Sequence, residues 1–279
     1  IVGLPGAAVQ ESRERVRAAL KQLGLPLAPS RIVVNLAPAD VRKQGPAFDL
    51  PIALAVLGAD RHLPTAALQR LLAVGELALD GGIRPVAGAV SLGALAAEAG
   101  LQLLTAPLSA LEAAIVPGVD AVGAPTLADA VAHVRGTQRL APSSSARAGH
   151  GPAGRSAWTQ SNRHGDMAGP DLAEVKGHTA AKRLLEVAAA GRHNVLFTGP
   201  PGAGKTMLAT RLPGLLPPLT VAEALEVSRV RSSAGLPVGG TLDLRPPFRQ
   251  PHHSGSEAGI IGGGSNPRPG EASLAHHGV

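Results

Sequence analysis

Two rhythms of apolar and polar positions share the first half of the chain. In ESRERVRAALKQL, Val16, Leu20 and Leu23 recur at helical spacing on one face, with Glu11 and Arg15 one turn apart on another. RIVVNLA is a compact β-branched run and reads as a strand. FDLPIALAVLGA reads as a helix, with Asp49 as its N-cap and Pro51 tolerated in the first turn. VGELALDGGIRPV reads as a hairpin, because Asp80-Gly81 supplies the positive backbone angles of a tight turn. SLGALAAEAG, LQLLT, LSALEAAI and LADAVAHV continue the alternation. The class is α/β or α+β, and the pattern leaves the sheet order open.

The rhythm then stops. Residues 138–169, rich in Ser, Gly, Ala, Pro and Arg, show no apolar period and read as a flexible linker. It separates a domain at 1–137 from a second at 170–279. The second opens with AAKRLLEVAAAG, an amphipathic helix expected to close at Gly191. HNVLFTG then reads as a strand, GPPGAGKT as a loop, and KTMLATRL as a helix ending near Pro213. In LTVAEALEVSRV, Thr220 and Glu223 have capping-box spacing. From Ser232 onward the text is loop-like, with turns at Gly262–Gly264 and SNPRPG. There is no internal repeat.

Composition narrows the chemistry. Hydrophobic residues make up 44% of the 279 residues and aromatics 1%, so the cores must be aliphatic. There is no cysteine, which removes disulfides, thiolate metal sites and cysteine nucleophiles together. No apolar run approaches the roughly 20 residues that span a bilayer. IVGLPGAAVQ lacks the basic start and apolar core of a signal peptide and has no initiator Met. A cytoplasmic chain that begins inside a longer protein is expected. The net charge of +6 sits in the linker and the second half, since residues 1–137 carry 11 basic and 11 acidic side chains. Such an excess permits nucleic-acid binding without demanding it. Arg13, Arg17 and Lys21 form a basic stripe, read as a solvated helix face in preference to a DNA contact.

The stretch that carries chemistry is GPPGAGKTM: Gly199, Pro200, Pro201, Gly202, Ala203, Gly204, Lys205, Thr206 and Met207. It matches G-x-x-x-x-G-K-[ST] at every defined position, between an expected strand and an expected helix. Its glycines let backbone N–H groups converge on phosphate oxygens. Lys205 would meet the terminal phosphates of ATP, and Thr206 would ligate Mg²⁺. Hydrolysis also needs an acidic pair at the end of a neighbouring strand. No such run follows Thr206, and Glu223, Glu226, Asp243, Glu257 and Glu271 lie in helical or loop contexts. Turnover by this chain is therefore not expected. His252-His253 and His276-His277 raise the question of a metal, but no spaced partner completes a ligand set in the sequence, so a loop or subunit-contact role is preferred.

A family resemblance rests on these residues. DLAEVKGHTAAKRLLEVAAAGRHNVLFTGPPGAGKTMLATRLPGLLPPLT and FRQPHHSGSEAGIIGGGSNPRPGEASLAHHGV resemble the AAA+ module of magnesium-chelatase-like ATPases. IVGLPGAAVQESRERVRAALKQLGLP, NLAPADVRKQGPAFDLPIALAVL and GELALDGGIRPVAGA resemble the N-terminal domain of the ComM/YifB subfamily. The resemblance implies a Lon-protease C-terminal-like domain (ribosomal protein S5 domain 2-like) followed by a truncated AAA+ P-loop NTPase domain. It implies a homo-hexameric motor using ATP and Mg²⁺, acting on single-stranded or branched DNA as a branch-migration helicase in natural transformation, with no membrane partner. It further implies that the segment around His252 to Pro269 corresponds to an insertion in the AAA+ core, expected to face the central pore.

In that family the Asp-Glu strand, the Walker B element, follows a segment like SLAHHGV, so the chain is expected to be a fragment stopping just before it. The Lon likeness also raises a serine–lysine peptidase. Ala47 stands where the serine would be, and AGAVSLGALAA holds no lysine, so both roles are vacant. His178 stands where relatives often carry Gln. Two alternatives to the DNA motor are a chelatase-type ATPase driving metal insertion and a non-hydrolysing, nucleotide-gated scaffold.

Overall fold

The computed structural model describes residues 1–2, 7–25, 32–38, 40, 43, 45–143, 170–264 and 267–279. It falls into two units, Ile1–Ala153 with Gly235–Gly240, and Gly154–Ala234 with Thr241–Val279. Most of the expected linker, residues 144–169, lies outside the described residues.

In the first unit, helix α1 (Ala7–Gln22) buries Val16, Ala19 and Leu20, the face its spacing predicts. Arg13, Arg17 and Lys21 are exposed on it. A 3₁₀ turn at Pro46–Phe48 leads into α2 (Asp49–Ala59). Asp49 is the first residue of α2 rather than its cap. Phe48 holds the N-cap position, and the Asp49 carboxylate is turned inward to Arg15 and the Leu77 amide. RIVVNLA forms a single parallel bridge, Val2 to Asn35, and no strand among the described residues. Val34 packs against the core while Val33 is 62% exposed, so the run alternates faces as an extended chain does but pairs only at that bridge among the described residues.

A short helix α3 (Thr65–Leu68) precedes strand β1 (Leu71–Ala73). The expected hairpin pairs β2 (Glu76–Leu77) with β3 (Ile83–Arg84), turning through Gly81 at φ 85°. Helix α4 (Ala89–Ala99), β4 (Gln102–Thr105), α5 (Pro107–Ala113), β5 (Asp120–Gly123) and α6 (Leu127–Arg135) follow. The sheet is parallel in the order β1-β4-β5, with Leu72 opposite Leu103 and Leu104 opposite Val122. Leu20, Leu50, Leu57, Leu77, Leu104, Val122 and Leu127 share one aliphatic core. A Cβ on Gly123 would come within 2.7 Å of Pro107 Cα, so only glycine lets α5 lie this close to β5.

Among its described residues the second unit opens with a 3₁₀ turn at Leu172–Glu174 and helix α7 (Thr179–Gly191). The C-cap of α7 is Arg192, in the left-handed region at φ 52°, one residue beyond the expected Gly191. Helix α8 (Lys205–Ala209) is shorter than KTMLATRL predicts, because a separate 3₁₀ turn at Leu212–Leu215 takes over around Pro213. Helix α9 (Val221–Ser233) carries the full capping box of Thr220 and Glu223. Helix α10 (Glu257–Ile261), the ladder β6 (Gly262–Gly263) with β7 (Arg268–Pro269), and α11 (Glu271–Leu274) break up the stretch read as loop. One core cluster joins Leu172, Val175, Leu185 and Leu208, with Phe197 against it, and Leu219, Ala224, Val227, Leu242 and Leu274 are buried elsewhere in the unit.

HNVLFTG is not a strand in this structure. Val195 and Phe197 are half-buried while Leu196 is 86% exposed, which is the side-to-side alternation of an extended chain. Among the described residues no backbone group of 194–198 has a ladder hydrogen bond. The alternation is present, and no described residue pairs with it as a strand.

Candidate nucleotide-binding site

The loop leaves the extended segment at Gly199 and enters α8 at Lys205. Gly202 and Gly204 hold φ values of 79° and 76°, conformations that side chains with a Cβ avoid. Pro200 and Pro201 carry no N–H, so the donors of the loop come from the residues after them. Ala203 N–H is taken by the Pro200 carbonyl at 3.3 Å. Among the described residues nothing accepts from the amides of Gly202, Gly204, Lys205 or Thr206. The chain thus presents a run of uncommitted donors at the start of a helix, the arrangement that suits an anion.

Lys205 reaches back over this loop. Its Nζ donates to the carbonyls of Gly199 at 2.8 Å and Pro200 at 2.7 Å. Thr206 and Met207 are exposed. The residues present therefore fit a polyphosphate: an ammonium group, free amides and an accessible hydroxyl lie within eight consecutive positions.

Two neighbours of the loop carry no motif signature. Arg211, whose side chain is 14% exposed, donates from Nη1 to Met207 O at 2.8 Å and from Nε to Asp171 O at 2.9 Å, and pairs with Glu174 at 3.3 Å. It ties α8 to the 3₁₀ turn that begins the unit. His178, at φ 50°, brings its Nε2 within 3.5 Å of where a Cβ on Gly204 would stand. His178 thus borders the loop itself.

The acidic candidates are engaged elsewhere. Glu223 caps α9, Asp243 pairs with Arg245 at 2.8 Å, and Glu271 forks onto Arg249 at 2.6 and 2.7 Å. The Arg249 hydrogen bond holds the Glu271 carboxyl below its ordinary range. Glu257 is in the first turn of α10. Glu226 meets His276 and His277, a carboxylate partner for one histidine pair that sequence spacing conceals. His252 bonds instead to Ser254 Oγ at 2.6 Å.

Comparison with known proteins places this geometry. The family model for magnesium chelatase, subunit ChlI, matches residues 171–279, and that for the subunit ChlI of Mg-chelatase matches residues 1–109. The chain belongs to the magnesium-chelatase ChlI-like family. It is 44% identical over 282 residues to an uncharacterized protein of Mycobacterium tuberculosis H37Rv, a match covering 100% of the chain and 53% of that protein. To YifB of Escherichia coli K12 the identity is 40%, over 100% of the chain and 52% of YifB. To the competence protein ComM of Haemophilus influenzae Rd it is 41%, over 100% of the chain and 53% of ComM. The chain spans about half the length of these curated relatives. Like the chain, they join both halves in one polypeptide. No helix among the described residues is long and apolar enough to cross a membrane.

Proposed function

We propose that this chain is the nucleotide-binding half of an AAA+ motor of the ComM type, which in the whole protein couples ATP hydrolysis to movement on branched or single-stranded DNA. The observation that carries the reading is Lys205, poised on the carbonyls of Gly199 and Pro200 beside uncommitted amides. Its ammonium would exchange those two carbonyls for terminal phosphate oxygens, the amides of Gly202, Gly204, Lys205 and Thr206 would hold the phosphates, and the Thr206 hydroxyl would hold Mg²⁺. The magnesium ion would neutralise phosphate charge. Arg211 keeps α8 in place while this happens.

The name of one relative, a competence protein, supports a role in DNA uptake, as does the chain's excess of basic side chains. In this reading a homo-hexamer surrounds the DNA, and the segment from His252 to Pro269, with Ile261 63% exposed, lies toward the strand. The N-terminal unit is a Lon-like assembly domain without peptidase chemistry. Ala47 offers no hydroxyl, and its carbonyl accepts from Gly75 N–H at 3.0 Å.

Fluorescent ATP titration tests the loop. Lys205→Ala abolishes binding if the reading holds, and unchanged affinity refutes it. The motor is tested with the whole protein on a synthetic four-way junction: ATP-dependent branch migration supports it. ATPase activity indifferent to DNA, with metal insertion into a porphyrin instead, favours the chelatase alternative.

A further inference from the structure

Glu226, on α9, is fifty residues from His276 in sequence, yet one of its carboxylate oxygens collects both members of a histidine pair. His276 Nε2 lies 3.1 Å from Glu226 Oε2, and His277 Nε2 lies 2.8 Å from the same atom. One ligand atom from each residue can be chosen so that all lie within 4.8 Å of one another. Neighbouring residues of an extended chain point to opposite faces, which argues against adjacent histidines sharing a ligand. Here His277 sits at φ 57°, and that left-handed turn brings both rings to one side, their centroids 4.0 Å apart. The other pair, His252 and His253, is similarly stacked at 4.2 Å but has a serine where this one has a carboxylate.

We propose that Glu226, His276 and His277 form a binding site for a divalent transition metal of the zinc class, clamping α9 to the C-terminal segment. Two imidazole nitrogens and a carboxylate are the donor set such ions select over magnesium or calcium. Ligands on a tetrahedral ion with bonds of about 2.0–2.1 Å stand about 3.3 Å apart, close to the two separations measured here. A fourth position stays open to water. Metal binding needs both Nε2 atoms free of protons, so each ring carries its proton on Nδ1. For His277 that atom lies 3.8 Å from Glu223 Oε1, too far for a hydrogen bond but near enough for the carboxylate's charge to favour a proton on Nδ1. Glu223 is itself fixed by the Thr220 amide and hydroxyl, so it acts as a positioning residue.

The site is separate from the nucleotide loop and is tested without nucleotide. Tag-free, EDTA-treated chain is titrated with Zn²⁺ by calorimetry and with Co²⁺ by visible absorption. One equivalent should bind, with Co²⁺ bands of a low-coordinate N/O site, and Lys205→Ala should bind equally. His276→Ala and His277→Ala should lose the equivalent. Glu223→Gln should weaken it by about tenfold or more. Glu226→Gln, which keeps the side-chain shape, guards against a folding artefact: it should retain the native circular dichroism and lose the metal. Absence of binding by the unsubstituted chain overturns the proposal, leaving a hydrogen-bonded cluster only. So does an equivalent that survives the double substitution of His276 and His277, or one that disappears with His252→Ala.

Discussion

Arg15 and Asp49, 34 residues apart, meet through a two-pronged ion pair, Nε to Oδ2 at 2.6 Å and Nη2 to Oδ1 at 3.1 Å. The Asp49 side chain is fully buried, and the amide of Leu77 donates to the same Oδ2 at 3.1 Å. One carboxylate thereby joins α1, α2 and the first strand of the hairpin. Removing the guanidinium strands a buried negative charge. Arg15→Ala should destabilise the N-terminal unit by about 3–5 kcal/mol in chemical denaturation. A loss below about 1 kcal/mol would mean that the pair is solvated in solution.

The two left-handed glycines of the phosphate loop should not respond alike to alanine. At Gly202 an added Cβ meets nothing within 4 Å, so the cost is the backbone alone, about 1–2 kcal/mol. At Gly204 the same strain is joined by contacts at 3.1 Å to Met207 Cε and 3.5 Å to His178 Nε2. Gly204→Ala should therefore weaken ATP binding more than Gly202→Ala in parallel titrations. The reverse order would show that His178 and Met207 yield freely.

His133 gives the N-terminal unit a pH response. Its Nδ1 accepts from Leu140 N–H at 3.1 Å, and its Nε2 lies 2.8 Å from Gln102 Oε1, so the neutral ring fits. Burial lowers its pKa, Arg139 adds to this, and Asp120 opposes it. A folded pKa below the unfolded value of about 6.5 makes the contribution complete above that pH. It is lost as pH falls through the depressed folded value. The melting temperature should decline on acidification below about pH 6.5, and His133→Gln should flatten that part of the profile. An imidazole resonance titrating at or above 6.5 by NMR contradicts the assignment.

Local signals made much of this legible. The amphipathic face of α1, the Asp80-Gly81 turn and the Thr220–Glu223 box each depend on residues a few positions apart, and each is present. The phosphate loop is legible for the same reason. What escaped the sequence is relational. The short strands β1 and β5 are LLA and DAVG, three and four residues, and strands this short in a parallel sheet lack the alternation that would mark them. Asp49 has the spacing of a cap, but a partly buried arginine from another helix claims its carboxylate. Arg211 and Glu226 find partners 37 and 50 residues away, separations at which no motif operates. HNVLFTG has strand rhythm, and the structure shows that rhythm without pairing.

The ammonium of Lys205 rests on its own loop, and this latch sets a threshold for whatever displaces it. Hydrogen bonds from a charged group are worth about 1.5–3 kcal/mol apiece, so a visitor carrying a single diffuse charge gives back too little to open the latch. Only a ligand with several adjacent negative oxygens can take both bonds and engage the free amides in the same step. On the proposed reading the loop is thereby insulated from chloride and other monovalent anions, and it selects by valence before a base or sugar is engaged.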